Sequence, residues 1–170
     1  MPQRDYILRL IEQVGQLLAR VIRQREEKAP QEALQSVMAA CERLFGMEAV
    51  QLFQFTPEQH FAMLAEDETP DVARDKILMY AALNAEAGRC YVALNHSQLA
   101  QQSFLNALRL TLKTREKYSS AGWPAFAPSV TELLDLLGDT PLDDETTRLI
   151  AATDMPRNAD RSLKPGTSPA

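Results

Sequence analysis

Cysteine and glycine are scarce in this chain of 170 residues, which has two cysteines and six glycines. So few cysteines exclude a small scaffold held together by disulfides. Cys41 and Cys90 both lie in apolar helical stretches, so we expect buried, reduced thiols, with a disulfide between them as the alternative. The low glycine content accompanies abundant alanine, leucine, glutamine and glutamate, a composition that favours helices.

Long hydrophobic runs and an excess of positive charge are also missing. Charged residues such as Arg9 and Glu12 interrupt the apolar N-terminus, which predicts no secretory signal. No stretch reaches the roughly 18 apolar residues of a membrane span. The net charge of −5 argues against generic nucleic-acid binding. We therefore expect a cytoplasmic protein that contacts neither membranes nor nucleic acid.

The apolar spacing predicts helices along most of the chain and no convincing strand, so the expected fold class is all-α. The predicted helices cover about 3–28, 30–45, 56–65, 70–94, 97–118, 128–137 and 140–152. A helical turn or packed loop is expected over 48–55, and an ordered loop over 119–127. We assign 1–155 to one domain and 156–170 to a disordered tail, because the tail has almost no apolar residues to bury.

Several single residues carry structural predictions. Thr56 and Gln59 have the spacing of a capping box, and Gly46 is well placed to end the second helix. Gly15 lies inside the first helix, where glycine is unfavourable, and therefore suggests a close approach of another helix. His60 lies in what looks like a surface turn.

The stretch around residues 83–112 has the most specific pattern. Asn95 and His96 form a connector so short that the flanking helices must pair antiparallel. Small and large residues alternate across this hairpin, at Gly88, Tyr91, Ala100, Phe104 and Ala107. These spacings of 3, 9, 4 and 3 residues resemble the tetratricopeptide repeat, although Asn84 and Leu112 replace its usual tryptophan and proline.

A weaker copy lies upstream, where Ala33, Val37 and Ala40 keep the spacing of the second helix. The chain thus resembles about two degenerate tetratricopeptide-like repeats followed by extra C-terminal helices. Two repeats are fewer than the three or more that such arrays need for stability. Either the C-terminal helices, including Leu133, or a partner chain must cover the open faces.

The N-terminal residues 5–13 resemble the start of an uncharacterised bacterial family with a domain of unknown function and a helical-repeat body. The resemblance extends to about Met155. It implies a bacterial cytoplasmic protein and no known activity.

No catalytic motif is present, so we expect neither an enzyme nor a cofactor. His60 and His96 lie on different elements and could supply at most half of a tetrahedral zinc site, so no metal is expected. The bases Arg109, Lys113 and Lys117 step by four residues. We expect them to face solvent or the acidic C-terminal region, with an acidic partner as the alternative.

The repeat resemblance implies a peptide groove on the inner face of each first helix, here Ala82, Ala85, Arg89 and Val92. The asparagines and lysines that clamp a C-terminal carboxylate are missing, so an apolar or helical ligand fits better. The predicted function is a protein–protein interaction or self-association module. The alternative is a regulatory domain that binds a small molecule or peptide between its helices.

The first helix predicts a homodimer, because its apolar arc is wider than the roughly 100° needed to meet its own core. Leu8, Ile11 and Leu18 are the expected self-association residues. In the competing arrangement the C-terminal helices fold back over the same surface.

Overall fold

The computed structural model describes residues 2–46 and 55–154, and the side chains from Arg4 to Thr153 within those ranges. The predicted element at 48–55, apart from Phe55, and the predicted tail at 156–170 lie outside these residues. Seven helices occupy the described part and no strand occurs there, which confirms the all-α class. They are α1 (Pro2–Glu26), α2 (Pro30–Phe45), α3 (Pro57–Ala65), α4 (Pro70–Ala93), α5 (Ser97–Lys117), α6 (Val130–Leu137) and α7 (Asp144–Asp154).

The helix ends follow the signals in the sequence. Thr56 Oγ1 accepts a hydrogen bond from the Gln59 backbone N–H at 3.2 Å, and Gln59 Oε1 accepts one from the Thr56 N–H at 2.8 Å. This reciprocal pair is the predicted capping box. Gly46 ends α2 in the left-handed conformation, with φ of 64°, and donates its N–H to the Glu42 carbonyl. A side chain at that position would strain the backbone.

Helix α4 is the centre of the molecule and is buried on nearly every side. It pairs closely with α5 and also packs against α1, α2 and α3. Helices α1 and α2 pair with each other, while α6 and α7 both pack on α5. The C-terminal helices therefore cover α5, which differs from the fold-back onto α1 that was the alternative to a dimer.

The paired helices α4 and α5 are in tight contact at Gly88. A Cβ atom added there would lie 2.5 Å from Cε1 of Phe104, and its three nearest atoms would all belong to that ring. The repeat-like pattern predicts that Gly88 packs near the other small residue, Ala100, whereas its nearest neighbour is Phe104. The Phe104 ring is fully buried at this contact.

The prediction for Gly15 was wrong. A Cβ added to Gly15 would meet no atom within 4 Å, so no neighbouring helix makes a close approach there. The neighbouring Val14 is the residue that packs in the core. Gly15 is the next residue in the helix and lies on a more exposed side than Val14.

The surface position expected for His60 was also wrong, because its side chain is 1% exposed. It shares the buried face of α3 with Pro57 and Leu64. Its Nε2 lies 3.3 Å from the Tyr80 hydroxyl, and its ring packs against Tyr80 and Phe55. Burial lowers the pKa of His60 to about 4, because the charged imidazolium would lose its hydration.

The two cysteines are buried and free, as predicted. Burial raises the pKa of the Cys41 thiol to about 12 and that of Cys90 to about 11. A thiol that resists ionisation is a poor nucleophile, so both behave as core residues.

The three stepped bases on α5 face neighbouring residues of the same chain. Arg109 pairs with Asp143, at the start of α7, and also bonds to Thr146. Lys113 lies 3.4 Å from Glu58, and Lys117 lies 5.4 Å above the Phe61 ring. Of these three bases, Arg109 alone pairs with the acidic C-terminal region as expected, whereas Lys113 and Lys117 contact residues of α3.

Candidate ligand-binding cleft

A cleft of about 520 Å³ separates α1 and α4 from the chain that leads into α6. One wall carries Leu18, Ile22 and Arg25 of α1 together with Ala82, Ala85, Glu86 and Arg89 of α4. The other wall is formed by residues 125–129, Glu132 and Leu133. This volume falls within the usual range for ligand pockets.

Small residues on α4 keep the cleft open. Ala82 and Ala85 lie one turn apart on the same helical face, and neither has a side chain long enough to reach the opposite wall. Ile22 and Phe126 add larger apolar surfaces on the two sides. The lining therefore combines apolar side chains with a substantial polar and charged part.

Four charged side chains line this cleft, and we call Arg25, Glu86, Arg89 and Glu132 the cleft charge network. Glu86 is only 6% exposed and lies between the two arginines. Arg89 donates one hydrogen bond to Glu86 at 2.6 Å and another to Glu132 at 2.5 Å. Since Glu132 belongs to α6, this second bond connects the two walls.

Arg25 is less completely paired than Arg89. Its Nε lies 3.6 Å from Oε2 of Glu86, which is too far for a normal hydrogen bond. Both atoms are buried, and among the described residues neither has a hydrogen-bond partner. Buried polar atoms are nearly always hydrogen-bonded. This ion pair is an exception, because both of these atoms lack a hydrogen bond within the described part of the chain.

The second wall is attached to α4 through Arg74. The guanidinium of Arg74 donates to the Ala121 carbonyl at 3.0 Å and to the Gly122 carbonyl at 3.4 Å. Within the same segment, the Trp123 indole N–H donates to the Ser119 carbonyl at 2.8 Å. These bonds fix the chain that leads to residues 125–129.

Ser129 then determines where Glu132 lies. Its side chain accepts the Glu132 backbone N–H at 3.3 Å and caps α6. The cap starts the helix beside the cleft and places Glu132 in its first turn, where it reaches Arg89. An acidic residue in a first turn also complements the helix dipole.

Three of the four residues predicted for the groove line this cleft, namely Ala82, Ala85 and Arg89. Val92 does not, and is instead 56% exposed near the end of α4. Arg25 and Glu86 also line the cleft and were not predicted from the sequence. The spacing of Leu18, Ile22 and Arg25 on one face of α1 could have indicated that α1 contributes to the wall.

The three residues predicted for self-association have different environments. Leu8 is 54% exposed and Ile11 is half-buried. Leu18 is 6% exposed and belongs to the core, so it does not lie on the outer surface of α1. Val14, Leu18 and Val21, which lie about one turn apart along α1, all face the chain's own core.

The described residues contain no group of three or more histidine, cysteine or acidic side chains arranged to hold a metal ion. Within the same residues, no helix combines the length and apolar character required to cross a membrane. No family model, curated protein or solved structure gives a significant match to this chain.

Proposed function

We propose that this protein is a non-catalytic interaction module that holds a segment of a partner polypeptide in the cleft between α1, α4 and residues 125–133. The observation that carries the proposal is the cleft itself, whose lining combines apolar residues with four charged side chains. Clefts of this composition are typical binding sites.

The order of the helices supports a repeat-like arrangement. Helix α4 contacts both members of the α1–α2 pair before pairing with α5, as a second helical hairpin would stack on a first. The cleft lies on the first helices of both hairpins. That is the face on which the tetratricopeptide resemblance places a peptide groove.

Self-association through the exposed part of α1 is part of this proposal. Tyr6 and Leu8 are large, apolar and more than half exposed, and Ile11 lies one turn further along the helix. A two-fold contact between copies is the commonest way to cover such a face. Leu18 is left out of this surface.

A regulatory domain that binds a small molecule is the second candidate. The volume of about 520 Å³ suits a metabolite-sized ligand as well as a peptide. Native mass spectrometry of gently purified protein would detect a retained molecule of this kind.

The cleft proposal can be tested with a variant that fills it. Ala125 is exposed on the cleft wall, so Ala125→Trp should block the site without entering the core. Ser120 is exposed in the same loop but outside the cleft, and Ser120→Trp is the matched control. A partner captured from lysate of the source organism by the wild type and Ser120→Trp, but not by Ala125→Trp, supports the proposal. Equal capture by all three would overturn it.

A further inference from the structure

We propose that the polypeptide segment bound in the cleft presents an acidic side chain, flanked by apolar residues, to Arg25 and Arg89. In the unliganded chain, Glu132 holds the place that this ligand carboxylate takes. The inference rests on the proposed function and specifies the chemistry of its ligand.

Arg25 is the first reason for a carboxylate. Its side chain lines the cleft and remains 28% exposed. Among the described residues, Glu86 is its one charged partner, at 3.6 Å and without a hydrogen bond. Arginine is the side chain best suited to bind a carboxylate in a two-pronged manner, and this one has capacity to spare.

Glu132 is the second reason. It crosses the cleft from α6 to reach Arg89, yet its side chain is 58% exposed. Exposed ion pairs contribute little to stability, so this contact can open at small cost. The cleft thus already contains one carboxylate–arginine contact of the kind that a ligand would make.

The charge balance is the third reason. The cleft charge network has two positive and two negative groups. When Glu132 turns into solvent, Arg25, Arg89 and the buried Glu86 are left with one unmatched positive charge. A single incoming carboxylate restores the balance, whereas a cationic ligand would increase the imbalance.

The apolar residues of the cleft indicate which ligand residues lie beside the ligand carboxylate. Ile22, Ala82 and Leu133 line the cleft beside the charged residues. They offer no hydrogen-bonding side chains to a polar ligand, so aliphatic or aromatic residues fit beside the acidic one.

A minimal probe tests the carboxylate without knowledge of the partner. Hexanoate, titrated into ¹⁵N-labelled full-length protein, should shift the backbone amides of Glu86, Arg89 and Ser129. Hexanamide, which has the same shape without the charge, should not shift them at the same concentration. If hexanoate caused no shifts in the cleft, or hexanamide caused equal shifts, the proposal that the ligand presents a carboxylate would be overturned.

Two variants make this titration specific. Arg25→Gln should weaken hexanoate binding by about tenfold, as expected for loss of a charge-assisted contact. Arg23→Gln, at an exposed site on the same helix, is the matched control and should leave binding unchanged. Glu132→Gln should strengthen binding by about two- to fivefold, because the internal competitor is lost. This gain cannot arise from damage to the fold, and unchanged binding in both Arg25→Gln and Glu132→Gln would contradict the proposal.

A degenerate ten-residue peptide library, selected on the immobilised protein, distinguishes a polypeptide from a free aliphatic acid. Enrichment of aspartate or glutamate beside apolar residues, lost on Arg25→Gln, supports the proposal. Hexanoate binding without any enriched peptide would overturn the polypeptide source. Enriched peptides that lack acidic residues but are blocked by Ala125→Trp would leave the interaction module standing and refute the carboxylate.

Discussion

The ring of Phe104 lies against the backbone of Gly88, where an added Cβ would come within 2.5 Å of Cε1. Phe104 is fully buried in α5, so its ring must shift within the core to admit the added atom. Gly88→Ala should therefore destabilise the protein by about 1–3 kcal/mol, and Gly88→Leu by at least as much. Urea denaturation monitored by circular dichroism measures both values.

Gly15 provides the matched control for that experiment. It is also inside a helix, but a Cβ there meets no atom within 4 Å. Gly15→Ala should stabilise the protein by about 0.5–1 kcal/mol through helix propensity and reduced freedom of the unfolded chain. If both substitutions changed stability equally, the close contact at Gly88 would be refuted.

These two glycines show how much the sequence could predict. Local signals placed most helix boundaries within about two residues, because caps such as Thr56 and terminators such as Gly46 act within a few residues. The last helix is the exception, since it was predicted over 140–152 and is observed at Asp144–Asp154. Whether a helical glycine meets a neighbour depends on which face of the helix is covered. Gly88 belonged to a pattern spanning two helices, whereas Gly15 had no such partner in the sequence.

The cleft residues likewise fall into those that the sequence predicted and those that it did not. Ala82, Ala85 and Arg89 were predicted together, as the groove residues that the tetratricopeptide resemblance implies. Contacts between distant parts of the chain, such as Arg89 with Glu132, required the packed structure. The burial of His60 was missed for a similar reason, because α3 is too short for its apolar pattern to show which side faces the core.

Burial of His60 should make stability depend on pH. Its pKa is lowered to about 4 in the folded state, against about 6.5 when exposed, so the unfolded chain binds the proton more readily between these values. Stability should therefore fall as pH decreases from about 6.5 to 4, by up to about 3 kcal/mol from this group. Urea titrations of the wild type and His60→Leu across this range isolate the contribution.

The difference between the two proteins is the quantity to examine, since carboxylates also titrate near pH 4. His60→Leu should show a shallower loss of stability on acidification. His96→Gln, at an exposed position, should retain the wild-type dependence. Identical pH profiles for the wild type and His60→Leu would contradict the buried, neutral histidine.

The dimer proposal is best tested at Leu8. Sedimentation equilibrium at micromolar concentration should give twice the 19.0 kDa chain mass for the wild type. Leu8→Glu should give a folded monomer, because it places a charge on an exposed apolar surface. A wild-type mass of one chain would rule out self-association under these conditions.

Leu18→Glu should behave differently, because Leu18 is part of the core. A carboxylate there would be buried without a partner, which should cost about 3 kcal/mol or more in stability. Thermal melts of Leu8→Glu and Leu18→Glu compare the two sites. A normal melting temperature for Leu18→Glu would show that α1 faces the core differently.

Arg74 should control the wall of the cleft as well as global stability. It is buried beside Asp75, with Nε 2.9 Å from Oδ1, and its other nitrogens hold the carbonyls of Ala121 and Gly122. Arg74→Met removes both sets of contacts and leaves a buried carboxylate alone. The expected loss is about 3–5 kcal/mol, as for other broken buried pairs.

The double variant Arg74→Met/Asp75→Asn separates the two roles. Burial raises the pKa of Asp75, with Arg74 opposing that rise, so removing the carboxylate charge should recover much of the stability lost in the single variant. The cleft wall at residues 125–129 should remain detached from α4, because the Ala121 and Gly122 carbonyls still lack the Arg74 guanidinium. Hydrogen exchange at the Ala127 amide, which donates to the Pro124 carbonyl, reports on the wall directly. Faster exchange at Ala127 in the double variant, with global stability largely restored, is the expected result, and wild-type exchange there would show that Arg74 does not hold the wall.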